Sequence, residues 1–505
     1  MTLHPGTVDP ARTAAIFGDD RLSYGALDSQ SRALAATLFA RGLAGGDTVA
    51  LLIGNRAEFL VAAWAAQRSG LYYLPLPTRS TTPELAYLLA DSGARALIID
   101  PAFAAAAYAA LTDLAAPPIV LGLIDWDTGA PETATVEGGD LCYTSGSTGR
   151  PKGVRRALSG APLGSDGRRV DRARALFGLG VDSIFLSPAP LYHAAPLRFA
   201  MNLLRTGGTV VGMPRFDAAE ALRLIAAERV THSQWVPTMF GRLLALDHRD
   251  RTLPDLSSHR VAVHAGAPCP PAVKRAMIDW WGPILHEYYS GTESIGFTHA
   301  TAAEWLARPG TVGRAYGSTV HILDDAGRAV ATGDSGRVFF AGSGGLRYHG
   351  DAAKTAAAHD SVGRATMGDL GYLDGDGYLY LTGRAGFTII TGGVNVYPAE
   401  IEAVLAGHPA VGDVAVFGVP DGDLGEAVRA VVEPATGHVG DAALAADLLA
   451  WARTQLAGPK LPRRIAFANL PRTATGKLAR AEVRHAYLAG HDCGFAATVA
   501  PARPA

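Results

Sequence analysis

Apolar runs of strand length alternate with helical segments along most of the chain, and the rhythm changes near residue 384. Together these predict an α/β protein: a large N-terminal domain of α/β subdomains with mostly parallel sheets, and a small mobile α+β C-terminal domain. Length supports the division, because 505 residues exceed what one hydrophobic core usually serves. The expected domains are residues 1–384 and 385–505.

The elements follow in order. Asp47-Thr-Val-Ala-Leu-Leu-Ile53 is an apolar run closed by Gly54-Asn55, a strand and its turn. In the next segment, Arg56 to Gly70, Phe59, Leu60, Ala63, Trp64 and Gln67 fall at helical spacing. A helix from Thr82 to Leu89 leads into a strand from Arg95 to Asp100. The apolar stretch Ala102 to Ile124 reads as a buried helix followed by a strand, because Thr112, Asp113 and Pro117-Pro118 interrupt it. Strand Gly208–Met213, helix Asp217–Glu228 and strand Thr231–Val236 repeat the unit, which implies parallel sheets covered on both faces. Beyond Arg384, helix Ala399–Gly407, strands Val411–Val419 and Glu426–Glu433 and helix Asp441–Leu456 make a smaller α+β unit. The Ala- and Pro-rich tail after Gly494 is expected to fray.

Composition removes several classes of function. The formal net charge is −2 with no Lys/Arg run, so nucleic acid and anionic membrane surfaces are not expected partners. Cys142, Cys269 and Cys493 are too far apart for a metal spacing and odd in number, which suits a reducing compartment. No stretch reaches the roughly 20 apolar residues of a membrane span, and no secretory signal opens the sequence. A cytoplasmic protein is expected; its oligomeric state is not written in the sequence.

The densest chemical signal is Tyr143-Thr-Ser-Gly-Ser-Thr-Gly-Arg-Pro-Lys-Gly153, directly after an apolar strand start at Leu141. Backbone N–H groups in such a loop form an anion nest, and Lys152 adds a full positive charge. Pro151 before the lysine excludes a Walker loop, and no strand leads into a Gly-x-Gly-x-x-Gly turn, which argues against a dehydrogenase.

This loop resembles the phosphate-binding signature of the adenylate-forming superfamily, the acyl-CoA synthetases and their AMP-dependent synthetase and ligase relatives. Further segments match in order from Ser23-Tyr24 to Lys477. The resemblance implies ATP, Mg²⁺ and, most often, CoA, with a small acid as substrate. It assigns Thr144, Ser145, Gly146, Ser147, Thr148, Gly149 and Lys152 to the phosphates. Tyr288-Tyr-Ser-Gly-Thr-Glu293 resembles the segment in which Tyr289 stacks on adenine, Thr292 meets the phosphates and Glu293 holds Mg²⁺. His264-Ala-Gly-Ala-Pro268 is similar to the adenine-edge loop, giving Gly266, Ala267 and Pro268. Asp369 is implied at the ribose hydroxyls and Arg384 at the sugar and phosphate; Asp374-Gly-Asp-Gly377 between them reads as a hairpin turn. His193 is implied beside the acid carboxylate, in a pocket built near residues 234–239, 265–267 and 289–291. Pro471-Arg-Thr-Ala-Thr-Gly-Lys477 resembles the motif whose mobile lysine bridges carboxylate and α-phosphate. In the segment Gly392 to Glu402, Gly393 is implied to leave room for the pantetheine thiol.

Two positions depart from the family pattern. Phe387 stands where relatives carry a polar hinge, and Ser290 stands where they carry glycine. The expected reaction is ATP-dependent activation of an acid to its adenylate with release of pyrophosphate, followed by thioester formation with CoA. The alternative keeps adenylation and changes the second step: transfer to an amine or carrier protein, or nitrite activation for nitrosation or diazotisation of an aryl amine.

Overall fold

A computed structural model describes residues 4–112, 114–123, 126, 136–144, 151–165, 167–267, 269, 271–324, 326–342, 346–384, 389–396, 398–471 and 480–489. Three sheets organise it. In the first, the strands lie in the order Ile119–Leu121, Ala94–Ile99, Thr48–Leu52, Tyr72–Pro75, Gly139–Thr144 and Lys152–Arg155. All pairs are parallel except the last, an antiparallel hairpin.

The second sheet has 13 strands. His232–Trp235, Val261–His264 and Leu285–Tyr289 run parallel in its middle. From Thr298–Thr301 onward the ladder turns antiparallel, through Gly313–Ala315, Tyr378–Arg384, Asp369–Leu373, Gly336–Ala341 and Thr319–Leu323. The expected turn at Asp374–Gly377 joins two of these strands. The third sheet, from Ile389 onward, carries its own core: Ile401, Leu405, Val416, Leu448 and Ile465 are fully or almost fully buried.

Helix Ala57–Arg68 is inaccessible on every side, with Phe59, Leu60, Ala62, Ala63, Ala65 and Ala66 at 0% exposure. The helical spacing is real, but both faces are apolar because the helix is buried all round. Its small alanines let the neighbouring elements approach closely. Local chemistry sets several boundaries. Asp217 and Asp441 cap the helices that follow them, each such cap being worth about 1 kcal/mol. Thr81 and Glu84 form a capping box on helix Thr82–Ser92, and Gly93 ends it in the left-handed conformation.

Glu84 also reaches the C-terminal sheet's unit. Its other carboxylate oxygen accepts from Lys460 Nζ at 2.9 Å and from the Ala457 amide at 3.3 Å. Lys460 also donates to Glu400 at 2.7 Å. Burial disfavours the ammonium, but the two carboxylates outweigh it and raise the Lys460 pKa. No helix among the described residues is long and apolar enough to cross a membrane.

Candidate active site

The hairpin Gly139–Thr144 and Lys152–Arg155 pairs Thr144 directly with Lys152, so the two ends of the phosphate signature stand side by side. Ser145, Gly146, Ser147, Thr148 and Gly149 lie outside the described residues, as do Pro268, Phe387 and Lys477. Lys152 Nζ donates to Asp351 at 2.8 Å, and this bond holds the Asp351 carboxyl below its ordinary pKa.

Strand Leu285–Tyr289 separates two halves of the site, because successive side chains point to opposite faces. Tyr289 donates to Asp369 at 2.5 Å. Asp369 lies opposite Arg384 in the antiparallel ladder, so the two residues expected at the sugar are cross-strand neighbours. Tyr288 faces the other way, stacked on Phe297 with centroids 5.0 Å apart and 5.9 Å from Phe199.

Past this strand the backbone bends through Gly291, Thr292 and Glu293. A Cβ on Gly291 would sit 2.2 Å from Met367 Sδ and 2.7 Å from Glu293 Oε2, so only glycine fits without displacing the carboxylate. Glu293 is buried, and its Oε1 accepts from the Tyr348 hydroxyl at 3.2 Å. Oε2 has no hydrogen-bond partner among the described residues, a free hard oxygen of the kind Mg²⁺ takes when bound through one carboxylate and substrate phosphates. Gly291→Ala is expected to weaken Mg²⁺-dependent turnover about 10-fold or more while the melting temperature moves little; a titration of activity against Mg²⁺ reads it.

His193 occupies the N-cap of helix Ala194–Thr206, its ring 4.6 Å from Tyr192. The residue is exposed at its edge, yet the protein packed around the ring lowers its pKa to about 4. The positive end of the helix acts in the same direction, so the imidazole is neutral at pH 7. Ser290 does not offer a free hydroxyl to the acid: its Oγ donates to the Gly296 carbonyl at 2.6 Å and bridges the bend. Gly266 follows strand Val261–His264 with φ +89, and Ala267 comes next. Gly393, at φ +78, lies against Val236, where a Cβ would be 3.4 Å from the valine side chain.

The sequence reading missed a set of supporting residues. Arg198 donates to Asp140 through Nε at 3.0 Å and Nη2 at 2.5 Å, and the same guanidinium reaches the Thr292 carbonyl at 3.0 Å and Ser294 Oγ at 3.1 Å. Arg156 bonds the Ser294 carbonyl at 3.1 Å. Ser294 has φ +53, a costly backbone for a non-glycine residue, and these two arginines hold it there. The signals were an aspartate opening a buried strand and a lone arginine on an otherwise apolar helix turn. A charged cavity of about 260 Å³ lies beside these groups, lined by Glu137, Asp140, Arg156, Arg169, Arg198 and Arg205 among others. None of the residues expected around ATP or the acid lines it, so it is part of the scaffold behind the loop.

These groups are the ones expected at a nucleotide and acid site of the adenylate-forming type. The family model described as AMP-binding enzyme matches residues 5–347, and that of the AMP-binding enzyme C-terminal domain matches residues 400–477. The chain belongs to the AMP-binding enzyme family, the adenylate-forming superfamily, and is an AMP-forming acid ligase of the acyl-CoA synthetase kind. It is 35% identical over 491 residues to a feruloyl-CoA synthase of an Amycolatopsis species, covering 95% of this chain and 97% of that one. Among solved structures it is similar to the amide bond synthetase McbA of Marinactinospora thermotolerans, at 31% identity and TM-score 0.85, with 95% and 98% of the two chains covered. It is also similar to the o-succinylbenzoate CoA synthetase MenE of Bacillus subtilis. The MenE double mutant bound to its product analogue OSB-NCoA gives 28% identity and TM-score 0.84, covering 95% and 97%. MenE in complex with AMP gives 27% identity and only 0.66 over the same shares.

Proposed function

We propose that this enzyme converts a small aryl or related acid to its acyl-adenylate and passes the acyl group to CoA. The observation that carries the second step is Gly393 seated against Val236, at the end of the strand that leads to the expected acid pocket. The MenE pair supports it. One protein in two states scores 0.84 and 0.66 against this chain, a difference that fits a change in relative domain orientation, and the better fit is the state holding a CoA-type ligand. We take the boundary between the domains to lie at 384/385, with the hinge at Phe387.

In this reading the acid carboxylate sits by neutral His193 and attacks the α-phosphate in line. The loop amides of residues 144–149 and Lys152 hold the triphosphate, and Asp369 and Arg384 hold the ribose. Tyr289 meets adenine beside Gly266, Ala267 and Pro268, while Thr292 contacts the phosphates. Glu293 would hold Mg²⁺, which supplies charge neutralisation on the phosphates when bound. Lys477 bridges carboxylate and phosphate where charge builds. Asp369 is already oriented by Tyr289, so the ribose would enter a site whose carboxylate is fixed.

McbA gives a specific reason to keep an amine acceptor as the second reading, because it matches in the same orientation range at 0.85. Purified enzyme with MgATP is expected to release pyrophosphate with an aryl acid and to form thioester only when CoA is added. Thioester absent, with amide formed from a supplied amine, would move the second step to the McbA-like reaction.

A further inference from the structure

Lys152 and Glu293 lie far apart in the chain, yet one short turn, Tyr348-His-Gly-Asp351, holds them both. Asp351 Oδ2 accepts from Lys152 Nζ at 2.8 Å, and the Tyr348 hydroxyl donates to Glu293 Oε1 at 3.2 Å. Lys152 and Asp351 are only 24% and 25% exposed, so water screens the pair less than it would on an open surface. Neither Tyr348 nor Asp351 belongs to the groups expected around ATP.

The turn is closed on itself and fastened to its neighbours. The Asp351 amide donates to the Tyr348 carbonyl at 3.4 Å, and the Tyr348 amide to Thr355 Oγ1 at 3.0 Å. That hydroxyl donates in turn to the Asp351 carbonyl at 2.7 Å. Asp351 Oδ1 caps the short helix Ala352–Ala357 by accepting from the Lys354 amide at 2.9 Å. On its other side the turn runs along strand Lys152–Arg155. The Arg155 amide donates to the Arg347 carbonyl, and the His349 amide to the Gly153 carbonyl. Side chains and backbone are thus committed together, and the two holds keep a fixed separation.

Each hold takes only part of what its partner offers. An ammonium has three donors; Asp351 takes one, and the others meet no acceptor among the described residues. Tyr348 takes Glu293 Oε1 and leaves Oε2 on the Gly291 side. A lysine stem is flexible, and fixing it before a ligand arrives removes that ordering cost from binding.

We propose that Tyr348 and Asp351 are positioning residues, whose turn sets the phosphate lysine and the metal carboxylate at a fixed spacing before the nucleotide enters. This rests on the reading above that gives Lys152 to the phosphates and Glu293 to Mg²⁺. Charge alone predicts the opposite for Asp351. A carboxylate beside a triphosphate repels it, so neutralising Asp351 should tighten binding. Positioning makes the same change weaken it.

The test is calorimetry on the full-length enzyme, with and without Mg²⁺. The ligand is an ATP analogue with a methylene bridge between the α- and β-phosphorus, which cannot release pyrophosphate. Asp351→Asn, which keeps the helix cap, should weaken binding about 3–10-fold in both conditions, the scale of one immobilised side chain. Tyr348→Phe keeps the ring that lies 4.6 Å from Lys354 Nζ. It should leave Mg²⁺-free binding within about twofold and cut the gain that Mg²⁺ brings by about 3–10-fold. Unchanged or tighter binding in Asp351→Asn would overturn the role of Asp351. Equal losses with and without Mg²⁺ in Tyr348→Phe, or no loss in either, would overturn that of Tyr348. Lys152→Ala and Glu293→Gln test the underlying reading. Wild-type binding in both would overturn the phosphate-side assignment itself, whereas losses there beside wild-type binding in the turn variants would overturn the turn alone.

Discussion

Arg198→Ala is expected to lower acid-dependent pyrophosphate release by about 10²-fold and to destabilise the fold by about 3–5 kcal/mol. Two different consequences of one guanidinium are involved. On one side it pairs with Asp140, which is almost wholly buried. Burial alone would push that carboxyl's pKa up, but Arg198 and Arg169 outweigh it and hold it far below the usual range. A depressed carboxyl contributes stability that is present above its unfolded pKa of about 4 and lost as pH falls below it. Arg198→Ala should therefore begin to lose structure at a higher pH than wild type in an acid titration. On the other side Arg198 bonds Thr292 and Ser294, the residues flanking Glu293. Losing those bonds lets the left-handed Ser294 relax and shifts the carboxylate by a distance that matters for in-line attack.

Arg198→Lys separates the two effects. It keeps a charge for Asp140, but lacks the planar fork that reaches both loop groups. Stability should recover by more than half while pyrophosphate release stays low, measured well below the melting temperature. Activity that returns in step with stability would reduce Arg198 to a structural role.

Local turn chemistry was legible: the Asp374–Gly377 hairpin turn stands where the pattern put it. Helices were legible too, since those expected at Thr82–Leu89 and Asp217–Glu228 are present at Thr82–Ser92 and Ala218–Ala227. What stayed hidden depends on contacts between distant segments. Arg198 and Asp140 are 58 positions apart, and Lys152 and Asp351 are 199 apart. No local period encodes such pairs. Ser290 shows the opposite case: it stands where relatives carry glycine, yet a backbone carbonyl six positions on takes its hydroxyl proton. The antiparallel half of the large sheet was also missed, because its strands near Gly313, Gly336 and Gly371 are short and glycine-broken.

Lys477→Ala and Gly393→Leu should fail in opposite halves of the reaction. Without Lys477 the α-phosphate loses the cation that meets its growing charge, so adenylate formation should fall by about 10²–10³-fold. Thioester formation from supplied acyl-adenylate and CoA should stay within about twofold of wild type, because the proposed CoA step depends on Gly393, which is placed against Val236. Gly393→Leu reverses the pattern. Its backbone stands at φ +78, and a side chain there would drive into Val236 at the end of the strand bearing Gln234. Adenylation, which the proposed reading assigns to another domain orientation, should be spared while the CoA step is lost. Glu84→Gln refines the comparison, since Glu84 holds Lys460 across the two domains. It should slow the second half-reaction several-fold without touching the first. The pair of half-reaction assays is decisive because each variant is the other's control for folding. Near-normal pyrophosphate release in Lys477→Ala would remove the lysine from the chemistry. Equal loss of both halves in Gly393→Leu would mean that the contact with Val236 serves the fold and not the transfer.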